Sequence, residues 1–297
     1  VSAHHAHRYL EPIAADTRVE YTIERVLETR ESTYQMIEAF LLRDMGAALF
    51  LDGLIQTAEI DEFIYHEALV HPACLATARP RRALVAGGGD GGALRELAKY
   101  AELDEIVMVE LDPEVVAVSA EHLPMLSVGA FDDDRVRMVY GDARREIERH
   151  RNDFDVIILD LTEPIATGPS QRLFTREFYA AVRRALRPNG VIAVQTAHAN
   201  PGRTGGRLHA DVRATLTDVG FNVASFFCTV PSFQSLWSFA LGTLAPPPLR
   251  PRREPPGSSR YLNAEILHAS MAIPPYLDKI IAEGDVRTDA SPFVWTP

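Results

Sequence analysis

Only two cysteines, Cys74 and Cys228, occur among the 297 residues. Each lies in an apolar stretch, and no Cys-x-x-Cys or Cys/His spacing accompanies them, so neither a disulfide-built scaffold nor a zinc-type site is predicted. They read as reduced core thiols of a cytoplasmic protein. Positive charge is also scarce. Thirty Lys and Arg face 41 Asp and Glu, for a net charge of −11. That balance argues against nucleic acid and against an anionic membrane surface as partners, and it suits a cationic small substrate. Long hydrophobic runs are missing too. The most apolar region, 223–244, is broken by Ser, Thr, Pro, Gln and Gly, so no membrane span is expected. Neither a signal-peptide pattern nor an internal repeat is recognisable. His4, His5 and His7 cluster in a polar stretch, read as part of a flexible tail over 1–17 rather than as a metal site.

Glycine, by contrast, is concentrated at one place. Arg82-Ala83-Leu84-Val85-Ala86 reads as a buried strand, Gly87-Gly88-Gly89-Asp90-Gly91-Gly92 as a turn, and Ala93 to Lys99 as a helix. Strand, Gly-rich turn and helix open a nucleotide-binding βαβ unit. Asp90 is the informative residue. A helix N-terminus in a dinucleotide site faces a pyrophosphate, which a carboxylate there repels. Asp90 instead suits a ligand with positive charge near the turn, although capping of the helix alone also accounts for an Asp here.

On either side of this centre the patterning changes. Tyr21–Leu27, Tyr34–Phe40 and Ala47–Leu51 alternate as strands, and Asp52-Gly53 is a hairpin signal. A small antiparallel β domain with a linking helix, capped by Asp61, is therefore predicted over 18–76. Beyond it, 77–297 alternates strand and helix, with strands at Glu105–Glu110, Arg135–Tyr140, Phe154–Asp160 and Val191–Gln195. The expected fold class is α/β, a doubly wound, Rossmann-like parallel sheet with helices on both faces. Strands near 221–229 and 235–241 complete it as a hairpin, a proline-rich connector follows from Leu244 to Pro256, and two short helices follow that.

Ligands of such sheets bind beyond the carboxyl ends of the strands. Four acids stand there: Asp90, Glu110, Asp142 and Asp160. Glu110, about twenty residues after the turn, is placed to accept both ribose hydroxyls of an adenosine. Asp142 is placed to accept from an adenine amino group, and Ala143 to donate its backbone N–H to a ring nitrogen. Asp90 then lies nearest a charged tail, a layout that fits an adenosyl sulfonium better than NAD. Asp160 and Glu163 pair two carboxylates at the reacting end, suited to gripping a polycation and taking a proton from it. The loop from Leu161 to about Arg172 has the composition of a lid.

With these residues in place the chain resembles the polyamine aminopropyltransferases, the spermidine synthase family. The similarity runs from Arg18 to the C-terminus. It is carried by Leu51-Asp52-Gly53-Leu54-Ile55-Gln56-Thr57, Asp61-Glu62-Phe63-Ile64-Tyr65-His66-Glu67, Gly87–Gly92, Asp132–Val136, Leu173-Phe174-Thr175 and Glu177-Phe178-Tyr179. The resemblance implies a methyltransferase-like Rossmann domain behind an N-terminal β domain, usually dimeric or tetrameric. It implies aminopropyl transfer from decarboxylated S-adenosylmethionine, a co-substrate, to a polyamine or diamine, with no prosthetic group and no metal. By motif, Gln35, Gln56, His66, Gly87, Asp90, Glu110, Asp142 and Ala143 hold the donor. Asp160 takes the proton, assisted by Tyr65. Glu163, Tyr65, Phe233 and Trp237 face the acceptor. Spermidine synthases usually carry Asp where Glu163 stands and Tyr where Phe233 stands. Those changes, with Leu161-Thr162, are similar to the thermospermine and aminopropylagmatine branches. An S-adenosylmethionine-dependent methyltransferase on the same scaffold is the alternative.

Overall fold

The computed structural model describes residues 7–14, 17–166, 168, 170–202, 204–245 and 253–295. Five strands come first: β1 (His7–Ala14), β2 (Thr17–Glu31), β3 (Met36–Leu42), β4 (Gly46–Leu51) and β5 (Leu54–Ala58). They form an antiparallel sheet in chain order. Asp52 and Gly53, both at positive φ (48° and 84°), turn β4 into β5 as the Asp-Gly signal predicts. Helix α1 (Glu62–Ala76) leads out of this sheet.

The rest alternates: β6 (Arg82–Gly87), α2 (Gly92–Ala98), β7 (Glu105–Glu110), α3 (Pro113–His122), α4 (Pro124–Ser127), β8 (Val136–Tyr140), α5 (Ala143–Glu148), β9 (Phe154–Asp160), α6 (Arg176–Ala185), β10 (Leu186–His198), α7 (Arg207–Asp218), β11 (Asn222–Val230), β12 (Ser235–Thr243), α8 (Ala264–Ala269) and α9 (Pro275–Ala282). These seven strands make one sheet in the order β11-β12-β10-β9-β6-β7-β8. β8, β7, β6, β9 and β10 run parallel. β12 returns antiparallel to β10, and β11 antiparallel to β12. This is the doubly wound α/β sheet with its closing hairpin.

The period-2 alternation of the strands sets the two cores. Ala83, Val85, Met108, Val156 and Ile158 point to the face covered by α1 and α2, while Leu84, Val107, Ile157 and Leu159 join Phe178, Val182, Val212 and Leu216 on the opposite face. Both faces are buried, so the central strands read as continuous apolar runs. α1, expected to belong with the N-terminal sheet, lays Tyr65, Leu69, Ala73 and Cys74 into the first of these cores.

Two expectations change. The flexible tail over 1–17 is corrected for its described part, since 7–14 is a strand paired with β2. Its anchors are Tyr9, packed on Phe40 and Phe50, and Glu11, whose buried carboxylate accepts from the Tyr21 hydroxyl (2.5 Å) and the Ile55 amide (2.9 Å). A polar composition hid a strand whose inward residues find partners only in tertiary structure. Asp61 precedes α1 as expected, but it does not cap it. Its carboxylate accepts from the Ser232 amide (2.6 Å), tying the helix start to the β11–β12 turn. His4 and His5, Thr167 and Pro169 in the loop after β9, and 246–252 of the connector lie outside the described residues. Among the described residues no helix is long and apolar enough to cross a membrane.

Candidate active site

The carboxyl ends of β6, β7 and β9 and the start of α5 open onto one cavity of about 700 Å³, closed on its other side by β4, β5 and the β11–β12 turn. Its floor is the Gly-rich turn. Gly87 sits at φ 80° and a Cβ there would come within 2.0 Å of the Asp160 carbonyl oxygen, so β6 and β9 approach this closely only through glycine. The Gly88 amide donates to that same carbonyl at 3.1 Å.

Of the residues expected to hold the donor, Gln35, Gln56, Gly87, Asp90, Glu110, Asp142 and Ala143 line the cavity. Glu110 ends β7 and is buried. One of its oxygens accepts from the Asp112 amide (3.0 Å), yet burial outweighs this and pushes its carboxyl up to about 7. Asp142 is the N-cap of α5, its Oδ1 accepting from the Arg144 (2.8 Å) and Arg145 (3.2 Å) amides. Ala143, the first residue of α5, presents an amide that no turn of its own helix can accept. Gln35 donates to Asp112 (3.0 Å), and Gln56 to the Leu54 carbonyl (3.1 Å).

His66 is placed differently from the expectation. It does not line the cavity but stands behind Asp90, with Nε2 3.3 Å from Asp90 Oδ2 and Nδ1 2.7 Å from Glu62 Oε2. The second oxygen of Asp90 accepts from the Gly92 amide (2.8 Å). Burial works against charge on His66, but Asp90 and Glu62 outweigh it and hold the ring protonated well above its usual range. Burial likewise opposes ionisation of Asp90, and the His66 cation outweighs it, so Asp90 lies below the usual carboxylate range. Glu62, one helical turn before His66, is gripped by both terminal nitrogens of Arg95 at 2.9 Å. By spacing alone His66, Asp90 and Asp160 are close enough to surround a metal ion. Both ring nitrogens are taken by carboxylates, however, so the imidazolium is itself the cation of the cluster. In the second such group, Glu67, His71 and Glu96, the Glu67 carboxylate is spent on the Arg260, Tyr261 and Leu262 amides.

At the reacting end, Asp160 Oδ1 accepts from the Tyr65 hydroxyl at 2.5 Å. Burial raises the Asp160 carboxyl to about 6 against the opposing pull of His66, and nearby Asp90 adds to the rise. Glu163 also faces the cavity, and burial takes it to about 7. Phe233 and Trp237 pack tilted against each other at 4.6 Å between ring centroids, with the Tyr65 ring 5.8 Å from Phe233 and 6.5 Å from Trp237, and make the apolar wall beside the carboxylates. The C-terminal stretch reaches this region. The Trp295 amide donates to the Pro164 carbonyl (2.8 Å), and Asp289 grips Arg144 through two hydrogen bonds (2.8 and 2.7 Å) at the far end of the cavity.

Sequence reading missed Glu62, Arg95 and Asp289. The i, i+4 spacing of Glu62 and His66 was an available signal. Nothing in the chain order signals that Asp289 meets Arg144.

Comparison with known proteins identifies the family. The spermine/spermidine synthase domain model matches residues 62–245, and the spermidine synthase tetramerisation domain model matches 9–59. The polyamine aminopropyltransferase 2 of Hyperthermus butylicus is 35% identical over 285 residues, covering 93% of this chain and 92% of the relative. The polyamine aminopropyltransferase of Aeropyrum pernix is 38% identical over 239 residues, covering 79% and 74%. A spermidine synthase solved in complex with the transition state analogue AdoDATO superposes with a TM-score of 0.86 at 29% identity, over 95% of this chain and 96% of the other. The spermidine synthase of Thermotoga maritima superposes with a TM-score of 0.85 at 27% identity, over 95% of each chain. The chain belongs to the spermine/spermidine synthase family and is a polyamine aminopropyltransferase.

Proposed function

We propose that the cavity holds decarboxylated S-adenosylmethionine along its donor side, with a diamine or polyamine between Asp160 and Glu163. The carrying observation is the gathering of Asp90, Glu110, Asp142 and Asp160 on one cavity wall. In this reading Glu110 accepts from the ribose hydroxyls. Asp142 and the Ala143 amide meet the adenine, and Gln35 and Gln56 border the nucleoside. Asp90 binds the aminopropyl ammonium and repels the carboxylate of intact S-adenosylmethionine. The donor is a co-substrate, consumed in each turnover.

The acceptor is a primary amine with a solution pKa near 10.4, so presenting it neutral at pH 7 costs about 4–5 kcal/mol. Asp160 reduces that cost by taking the proton as the amine attacks. The nitrogen lone pair forms the new N–C bond at the methylene beside sulfur. The C–S bond breaks, its electrons neutralise the sulfonium, and 5′-methylthioadenosine leaves. Burial suits Asp160 to this work, since a base near 6 accepts a proton more readily than an ordinary aspartate and is still ionised at pH 7. Glu163 grips a distal ammonium, and Phe233 and Trp237 flank the methylene chain.

The antiparallel sheet of β1–β5 then serves assembly into a homodimer or homotetramer, and the remainder serves catalysis. A cytoplasmic location, read from the two unpaired buried cysteines, belongs with this reading. The test is Asp160→Asn. It should lower kcat by about 10²–10⁴-fold while calorimetric binding of the decarboxylated donor is retained. Full turnover in that variant rejects Asp160 as the base, and wild-type failure to bind the donor rejects the site.

A further inference from the structure

Three buried charges and one half-buried charge form a line leading away from the cavity: Asp90, His66 and Glu62, then Arg95. Only Asp90 lines the cavity. His66 bridges the two carboxylates, 3.3 Å from Asp90 and 2.7 Å from Glu62, and Arg95 of α2 closes the line with two 2.9 Å bonds to Glu62. The start of α2 lies tight against the imidazole, because a Cβ on Gly92 would meet the His66 ring at 2.2–2.5 Å.

We propose that Glu62, held by Arg95, is a positioning residue for the donor: acting through His66, it keeps Asp90 ionised and aimed into the cavity, and so sets the preference for a tail ending in an ammonium over one that also carries a carboxylate. The argument is electrostatic. Asp90 is buried and has Asp160 as a near neighbour, and both circumstances favour its neutral form. The positive charge at Nε2 is the largest influence offsetting them, and the Gly92 amide and the Arg95 charge add to it. Burial opposes that charge on the imidazole; Asp90 favours it most, and Glu62, the anion at the second nitrogen, adds the rest. Arg95 in turn keeps Glu62 ionised, shared as it is with Glu96 (2.8 Å) and the Leu126 carbonyl (2.6 Å). The other groups facing His66 are Asp160, which adds to its charge, and the edge-on Tyr65 ring, 5.1 Å away. Glu62 touches neither substrate.

The inference rests on the donor site proposed above, and binding separates the two. In Glu62→Gln the volume and one acceptor oxygen remain, but the anion is lost. His66 then gives up its proton near neutral pH and Asp90 takes one up. We expect kcat/KM for the decarboxylated donor to fall about tenfold or more at pH 7, its acid limb to move to higher pH, and the acceptor KM to hold. The ratio of decarboxylated to intact donor affinities should narrow. Glu62→Asp should restore part of each effect. Nitrogen NMR of His66, assigned with His66→Gln, should show an imidazolium through neutral pH in the wild type and a neutral ring in Glu62→Gln. If the wild type binds the donor and Glu62→Gln binds it with the same affinity, selectivity and pH dependence, the inference is wrong and the donor site stands. A loss confined to the acceptor KM overturns it equally. Should Glu62→Gln not fold, Glu62→Asp and the wild-type His66 resonance decide alone, and a His66 that titrates as an ordinary exposed imidazole refutes the relay.

Discussion

Tyr65 makes one short hydrogen bond, and the chemistry proposed for Asp160 depends on it. The hydroxyl donates to Asp160 Oδ1 at 2.5 Å and favours the ionised carboxylate, against burial and the nearby charge of Asp90. Burial and the surrounding acids push the phenol well above its usual range, so Tyr65 stays a donor at any working pH. In Tyr65→Phe the carboxylate loses this donor and its pKa rises. The rate, which in the proposed mechanism requires ionised Asp160, then increases with pH later than in the wild type. The acid limb of kcat should shift upward and kcat at pH 7 should drop about tenfold, with donor binding intact. An unshifted limb in a stopped-assay pH profile would show that the hydroxyl is mere packing. Asp160 and Tyr65 were legible in the sequence for different reasons. Asp160 ends a run of four apolar residues, a strand signal that places it at the rim by topology alone. Tyr65 is one of several apolar-faced residues on a helix, and only the resemblance singled it out.

The β6–α2 turn shows how an element fixes side chains it does not itself carry. Gly87 lets β6 lie against the Asp160 carbonyl, and Gly92 lets α2 start against the His66 ring. Gly87→Ala must both adopt φ 80° and move a carbonyl that the new Cβ would meet at 2.0 Å. We expect a loss of stability of at least about 2 kcal/mol in urea unfolding and a donor KM raised together with it. Unchanged stability would mean that β9 gives way freely. The turn was readable because backbone chemistry is local: strand, glycines and helix follow one another within the seventeen residues 82–98. The same holds for Asp52-Gly53. β1 was not readable. Its eight residues carry no strong alternation, and their stability comes from Tyr9 and Glu11 meeting residues of β2, β3, β4 and β5. Asp61 failed as a predicted cap for a related reason. A carboxylate at that position serves either the helix amides or a distant amide, and the Ser232 amide, 171 residues away, has it. Local rules identify which groups need partners, whereas tertiary contacts choose among partners of equal chemistry.

Taken together, the site is an anionic cavity in an anionic protein, awaiting cations. Burial takes Glu110, Asp160 and Glu163 to about 7, about 6 and about 7. Each is raised above its unfolded value, so the native protein binds more protons than the unfolded chain across that interval. The stability these groups contribute is fully present below the ordinary carboxylate range and is lost as pH rises through about 6 to 7. A cationic ligand reverses the cost, since it binds best when the carboxyls are ionised. The rise in Tm caused by a fixed concentration of decarboxylated S-adenosylmethionine should therefore grow from about pH 5 to about pH 8. Binding near the interval itself should release protons, measurable by calorimetry in buffers of different ionisation enthalpy, and the release should fade above about pH 8. Glu110→Gln removes one titrating group from the cavity wall, so part of the pH dependence should disappear while binding persists. The Glu62→Gln variant acts in the opposite sense, adding Asp90 to the groups that must lose a proton, and its release should be larger. A Tm increment constant with pH, with no proton release in any buffer, would mean that the empty cavity already holds its carboxyls ionised, and that water rather than protein surrounds them.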